Sequence, residues 1–201
     1  ALDDRISLIV NNKNIGAGLS RNLAIRSSKG TYVAFLDADD IWKENKIEEQ
    51  INFMKKNNSK ISHTSYEIID YNKNIIGKRV ARNFKEIKDL LKSCDIGLST
   101  VMMKKDLINI ASFKNLKTKE DYALWLEYAR NGIKIVGIKQ VLASWRNLNN
   151  SLSSTFKDKF VNAFNVYYKF EKKGLLKSLF LVIKLSVFYI VKKIKQKNNI
   201  K

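Results

Sequence analysis

Residues 31–42 read TYVAFLDADDIW: a mostly apolar run of strand-forming residues that ends in three carboxylates, Asp37, Asp39 and Asp40. Carboxylates this close repel one another and raise each other's pKa unless a positive charge sits among them. The run therefore asks for a cation, a catalytic role or a helix cap. A cap by Asp39 or Asp40 on a helix starting near Lys43 accounts for one carboxylate and leaves two unexplained. A D-x-D pair on the tight turn after a strand presents oxygens to a hard divalent ion. Mg²⁺ and its relatives take one or two protein carboxylates together with substrate phosphates.

Working outward, RISLIV (5–10) reads as a short buried strand, followed by the turn-rich NNKNIGAG (11–18). A helix is predicted over 19–30, with Leu19, Leu23, Ala24 and Ser27 on its inner face and Gly30 as its stop. TYVAFL (31–36) is a strand, and 43–58 a helix burying Ile47, Ile51 and Met54. Residues 61–70 and 75–80 read as a hairpin around YNKN, and a helix follows at 85–92. Then come an apolar stretch at 99–103, a helix near 105–110, a helix over 119–132 closing on Gly132, and one or two strands in 133–145. Alternation of strands and helices up to residue 60 predicts a mainly parallel α/β sheet, to which the hairpin adds antiparallel character. In such sheets ligands bind at the carboxyl ends of strands, where the three aspartates fall.

The chain has 201 residues, enough for one domain with an appendage, and 45% hydrophobic with 28% charged residues marks it as globular. A single cysteine, Cys94, excludes an internal disulfide framework. Cys94 and the lone His63 sit on apolar stretches, and both read as structural. One histidine supports neither a zinc-binding spacing nor a Ser-His-Asp set. Residues 1–5 are polar and a short strand-like run follows, so no signal peptide is expected. The formal charge is +19, unevenly spread. Residues 1–54 hold seven basic and eight acidic side chains, whereas residues 155–201 hold twelve and two. Anionic lipid, nucleic acid or a phosphorylated substrate would each suit that excess. No recognised nucleic-acid motif accompanies it, and it lies away from the aspartates.

Three further stretches give the chain a family likeness. NIGAGLSRNLAIRSSKGTYVAFLDADDIW, KTKEDYALWLEYARNG and SWRNLNNSLSS, in this order and spacing, resemble the GT-A glycosyltransferases of family 2 over about residues 5–155. The nearest likeness is to bacterial enzymes that build cell-surface polysaccharides. The resemblance implies a Rossmann-like mixed α/β sheet and an inverting, metal-dependent transfer of a sugar from a nucleoside-diphosphate donor, expected to be UDP-linked. The acceptor would be a growing glycan or a lipid-linked one. Asp39 would hold a Mn²⁺ or Mg²⁺ ion, with Asp37 beside the donor ribose or in the metal shell. Asp40 would either assist there or, as the favoured reading, cap the following helix. Arg21 matches the arginine near the nucleotide, and Gly16 and Gly18 shape the backbone rather than grip phosphate. In KEDYALW, Asp121 would be the general base and Glu120 would help to place the acceptor. Trp125 reads as a core residue. Arg146 is expected on the donor diphosphate, with Asn150 and Ser151 alongside.

The family's opening strand–helix–strand unit, with its TYN-like and DDGS-like turns, has no counterpart here. The chain enters at what resembles the third strand, so the 1–155 domain is expected to lack its first unit and part of its donor pocket. Residues 156–201 read as basic amphipathic helices. In 175–191 an apolar stretch is interrupted by Lys177 and Lys184, the pattern of a helix lying on an anionic membrane surface. The expected location is cytoplasmic, at the inner face of the cell membrane. The rival readings are a membrane-associated scaffold that keeps the fold without the chemistry and, further off, a basic nucleic-acid-binding protein.

Overall fold

The fold is described from a computed structural model covering residues 3–148 and 156–198, with side chains described for residues 3–148 and 160–188. Helix α1 (Ala17–Ser27) leads to strand β1 (Tyr32–Ala34), and the aspartate turn leads to β2 (Ile41–Trp42) and α2 (Lys46–Lys56). The hairpin is β3 (Ile61–Ile69) with β4 (Ile75–Arg79), followed by α3 (Ile87–Lys92). A 3-10 turn, Leu98–Thr100, introduces β5 (Met102–Lys104), and a second spans Lys105–Asn109. Then come α4 (Glu120–Arg130), β6 (Val136–Arg146), α5 (Phe156–Asn165), a π-helical turn (Val166–Phe170) and α6 (Leu175–Asn198).

The sheet runs β1-β5-β3-β6-β2, with β4 also on β3. It is mixed, as expected. However, β3 with β6 is the one parallel pairing among these strands, and the rest are antiparallel. The expected mainly parallel sheet is thus corrected. Strand β3 carries the pattern: β5 and β4 share one edge, and β6 runs along the other from Ser62↔Val136 to Ile69↔Arg146. That long parallel register brings the end of β6 to the end of β3, beside the aspartate turn.

Several boundaries differ from expectation. Residues 5–10 form no strand, and Ile6, Leu8, Ile9 and Val10 are exposed. Apolar character makes a strand only where a neighbouring strand supplies the ladder, and none pairs with this run here. The helix near 105–110 is a 3-10 turn, and 133–145 yields the single strand β6.

The core gathers on α4, where Leu124, Trp125, Leu126 and Tyr128 are fully buried. Trp125 is a core residue, as expected. Ala163, Val166, Tyr167 and Val182 from the C-terminal helices join the same cluster. The other two predicted helix faces are corrected in part: Met54 is buried as expected and Leu19 and Ile51 are half-buried, but Leu23, Ala24, Ser27 and Ile47 are exposed. On α1 the buried residues are Gly18, Asn22 and Ile25, and on α2 Lys46, Gln50 and Met54. Leu23 and Ile47 point to solvent.

Candidate functional site

Arg21, on the inner side of α1, joins two motifs that lie far apart in sequence. Its Nη2 donates to Asp37 Oδ1 at 2.8 Å, and its Nη1 donates to Glu120 Oε1 at 2.6 Å. The guanidinium also lies 5.7 Å from the centre of the Phe113 ring. Burial alone would lower the Arg21 pKa, but the two carboxylates outweigh it and raise it, so the group is a fixed cation. The positive charge that the crowded aspartates call for is supplied from α1.

The local backbone makes that bridge possible. Gly16 starts α1 at φ 82°, in the left-handed region that favours glycine. A Cβ at Gly18 would stand 2.9 Å from the Lys114 carbonyl oxygen and 3.2 Å from Glu120 Cγ. Only glycine therefore lets α1 come this close to the start of α4. The buried Asn22 amide then fastens the neighbouring loop, with Nδ2 donating to the Phe113 carbonyl at 2.8 Å and Oδ1 accepting from the Phe113 N–H at 3.0 Å. Both glycines shape backbone, as expected.

Asp40 has a different role from the expected helix cap. Asn45 precedes α2, and β2 lies between Asp40 and the helix, so the carboxylate is too far back to reach the helix N–H groups. Instead Oδ2 accepts from Ser99 Oγ at 2.6 Å and Oδ1 accepts from the Arg146 backbone N–H at 2.9 Å. Ser99 Oγ in turn accepts from the Asp37 N–H at 3.0 Å. Burial pushes the Asp40 carboxyl up to about 6, against the lowering effect of these two hydrogen bonds; Asp39 and Asp37 push it further up.

The 3-10 turn bearing Ser99 is itself held from below. Trp42 Nε1 donates to the Ser99 carbonyl at 2.6 Å, and Gln50 Nε2 donates to the Thr100 carbonyl at 3.0 Å. Lys46, wholly buried, donates to Gln50 Oε1 at 2.6 Å and lies 4.5 Å from the Trp42 ring centre. Desolvation lowers its pKa to about 8.

Arg146, the last residue of β6, turns its guanidinium on backbone carbonyls. Nε donates to Asp39 O at 2.9 Å, and Nη1 donates to Asp70 O at 3.1 Å and Tyr71 O at 3.0 Å. The D-x-D turn is thereby braced on its outer side. A groove lined by Asp70, Tyr71, Ile76 and Asn147 opens next to it. Asn150 and Ser151 lie outside the described residues.

Asp121 sits in the first turn of α4, its Oδ1 accepting from the Tyr122 N–H at 2.7 Å. Burial raises its pKa, opposed by Lys119. Lys119 holds φ 67°, a strained conformation for a residue with a side chain, directly before the acidic pair. Tyr122 anchors this turn: its hydroxyl donates to the Leu90 carbonyl at 3.2 Å and meets the Tyr167 hydroxyl at 2.7 Å. Burial pushes the nearby Cys94 thiol up to about 12, so it stays protonated. His63 is buried, with its pKa lowered to about 4, and its Nε2 faces the Arg82 carbonyl at 2.8 Å. The ring is neutral and carries its proton on Nε2. Both residues are structural, as expected.

Arg21, Asp37 and Glu120 are thus brought into direct contact, with Asp39, Asp40 and Asp121 adjacent to them in sequence and Arg146 behind the turn. Sequence reasoning missed Ser99 and Asn22. A serine after a leucine and an asparagine within a helix carry no local mark of contacts 62 and 91 residues away.

Among the described residues, no three His, Cys, Asp or Glu side chains form a ready metal cage. A Mg²⁺ or Mn²⁺ site needs fewer protein ligands when a diphosphate supplies the remainder. Asp39 is exposed, and the Asp37 side chain is 40% accessible, so the donor set fits an ion shared with substrate oxygens.

Comparison with known proteins gives this geometry its context. The model for "Glycosyl transferase family 2" matches residues 1–109. TuaG of Bacillus subtilis, named as a teichuronic acid biosynthesis glycosyltransferase, is 33% identical over 88% of this chain and 71% of its own length. The Escherichia coli UDP-Glc:alpha-D-GlcNAc-diphosphoundecaprenol beta-1,3-glucosyltransferase WfgD is 41% identical over 76% of this chain. The chain spans 60% of that protein. In fold, the chain is similar to S. aureus TarS 1-349 in complex with UDP-GlcNAc, with a TM-score of 0.59 at 15% identity over 86% of this chain and 52% of that one. With its glycine-opened helix, aspartate turn and acidic helix start joined through one arginine, the chain belongs to glycosyl transferase family 2.

Proposed function

We propose that the chain carries the catalytic centre of an inverting, metal-dependent glycosyltransferase. It would move a sugar from a UDP-linked donor to a lipid-linked or growing cell-surface glycan at the inner face of the membrane. The observation that carries this reading is the Arg21 bridge, which sets the D-x-D carboxylates and the acidic start of α4 on either side of one cation.

Asp39, with Asp37, would hold the divalent ion against the donor diphosphate. Bound there, the ion supplies positive charge to the leaving nucleoside diphosphate. Arg21 uses two N–H groups on carboxylates, and a guanidinium has five, so donors remain for a phosphate or the nucleotide. Arg146 positions the Asp39 turn, and Asn150 and Ser151 would close over the diphosphate.

On the other side, Asp121 takes the proton from the acceptor hydroxyl. The acceptor oxygen forms its bond to the anomeric carbon as the bond from that carbon to the diphosphate oxygen breaks. The electron pair leaves with the nucleotide, and a single displacement inverts the centre. A raised Asp121 pKa makes it a stronger base than a free aspartate, provided it is ionised at the working pH. Glu120, held by Arg21, helps to place the acceptor. Related proteins support the substrate classes: WfgD is named for a UDP-glucose donor and a diphosphoundecaprenol-linked acceptor.

The test is a thermal shift of the chain with UDP, GDP or dTDP, each with and without Mn²⁺, beside Asp39→Asn. A metal-dependent rise with UDP that Asp39→Asn abolishes is expected, since stabilisation follows ligand concentration over affinity. No shift with any nucleotide would leave the fold without a working donor site. Asp121→Asn should keep the shift and lose transfer.

A further inference from the structure

Helix α6 is apolar on two opposite sides, and only one of them has a partner within the described residues. Its inner side carries Ser178 and Val182, both fully buried, with Leu181 and Leu185 packed on the same core. It rests on α3 and α5. Its outer side carries Leu176, Phe180, Ile183 and Val187, spaced 4, 3 and 4 residues apart and so aligned along one stripe. They are 82%, 63%, 51% and 53% exposed. A continuous outward stripe of this kind signals a surface to be covered.

The charges beside the stripe indicate what covers it. Lys177 and Lys184, seven residues apart, line one flank, and Lys184 Nζ lies 5.9 Å from the Phe180 ring centre. Residues 155–201 hold twelve basic against two acidic side chains. Among the described residues no helix is long and apolar enough to cross a membrane. An apolar stripe flanked by lysines on a non-spanning helix matches a bilayer surface with anionic headgroups: the stripe enters the acyl boundary and the ammonium groups meet phosphates.

We infer that the Leu176–Phe180–Ile183–Val187 face of α6 is the surface by which the protein lies on an anionic membrane. The inference deepens the reading of a membrane-borne acceptor and rests on it. The docked side of the same unit reaches the chemistry. Tyr167, in the π-helical turn before α6, meets the Tyr122 hydroxyl in the first turn of α4, and Arg130 of α4 pairs with Glu171. The segment that leads into the membrane-facing helix is thus packed onto the element that carries Asp121.

Co-sedimentation of the chain with phosphatidylglycerol-containing and pure phosphatidylcholine vesicles tests this. Binding to the anionic vesicles is expected, weakening with salt. Phe180→Ser with Ile183→Ser should reduce it by at least about tenfold, since each removes a large apolar side chain from the contact. Lys177→Glu with Lys184→Glu should abolish the preference for anionic vesicles. All four side chains lie outside the core, and an unchanged melting temperature confirms that each variant folds. Binding indifferent to both variants, or no binding to either vesicle, overturns the inference. So does a wild-type dimer by light scattering that Phe180→Ser with Ile183→Ser converts to monomer without any vesicle uptake, because the cover would then be a second copy. The nucleotide-dependent thermal shift is read without vesicles, so failure of this surface and failure of the transfer reading are distinguishable.

Discussion

Helices α1 and α2 bury polar side chains beside one large apolar residue each, Ile25 and Met54, whereas α4 buries a continuous apolar and aromatic set, and the contrast separates the two jobs of this fold. On α4, Tyr122 through Leu126 and Tyr128 are all buried, and they supply the middle of the core. On α1 and α2 the inner faces carry Asn22, Lys46 and Gln50, each spent on a named hydrogen bond to a loop, a strand or a neighbouring side chain. The first pair of helices gives up apolar burial to position turns. The aspartate turn, the Ser99 turn and the Phe113 loop are all short connections without a ladder of their own, and the polar faces provide the missing partners.

If that division is right, the largest stability loss comes from α4. Trp125→Ala should cost about 3–5 kcal/mol, as large aromatic truncations in a packed core do. Its fully buried side chain leaves a void that the neighbours cannot fill. Equilibrium unfolding in urea measures it, and a loss below about 1 kcal/mol would mean α4 is not the centre of the core.

Asn22→Ala tests the other side of the contrast. It orphans a buried N–H and C=O at Phe113, an expected cost of about 1–3 kcal/mol, from the desolvation penalty of unpaired groups. The Phe113 loop also lies beside Arg21 and the Glu120 contact of Gly18, so the metal-dependent nucleotide shift should fall with it. Trp125→Ala should spare that shift at temperatures where the variant remains folded. A normal shift in Asn22→Ala would mean that the clamp serves the fold alone.

Lys46 sharpens the comparison through pH. Its folded pKa is lowered to about 8, from 10.5, by burial. Below pH 8 both folded and unfolded chains hold the proton, and the folded state carries the whole cost of a buried charge. Between pH 8 and 10.5 the folded state gives up the proton first, so the unfolded state binds more protons and stability rises with pH. The wild type should therefore gain on the order of 2 kcal/mol relative to Lys46→Met across that window. At pH 7 the methionine variant should be at least as stable as the wild type, because it removes a buried ammonium that has no carboxylate partner among the described residues. Parallel curves for the two proteins would show that the ammonium reaches water.

The same contrast explains what could be read from residues alone. The positions of the D-x-D turn, the acidic pair and the GAGLSRN helix start were legible because each lies at the end of an element, where local pattern marks it. The hairpin and α4 were legible from periodicity. The role of Asp40 was not, because its partners Ser99 and Arg146 lie 59 and 106 residues away, and a carboxylate before a helix reads locally as a cap. Residues 5–10 misled for a related reason: composition favours a strand, but only a pairing neighbour makes one. Met54 was read correctly, but the rest of the inner faces of α1 and α2 misled because the amphipathic rule assumes that burial follows hydrophobicity, and at Asn22, Lys46 and Gln50 it follows hydrogen bonding.

The smallest expected effect is therefore also diagnostic. Hydrophobic spacing assigns Leu23 to the core face of α1 and Ile47 to that of α2; were they there, truncating each would cost about 2 kcal/mol or more. Leu23 is 41% exposed and Ile47 38% exposed. Leu23→Ser and Ile47→Ser should each change unfolding free energy by no more than about 0.5 kcal/mol, the range of ordinary surface substitutions. Both should keep the nucleotide shift, because neither touches Asn22, Gln50 or the turns they hold. A core-sized loss in either variant would mean that the helix has turned its apolar stripe inward. Its polar residue would then no longer reach its loop, and the clamp and the burial pattern would fail together.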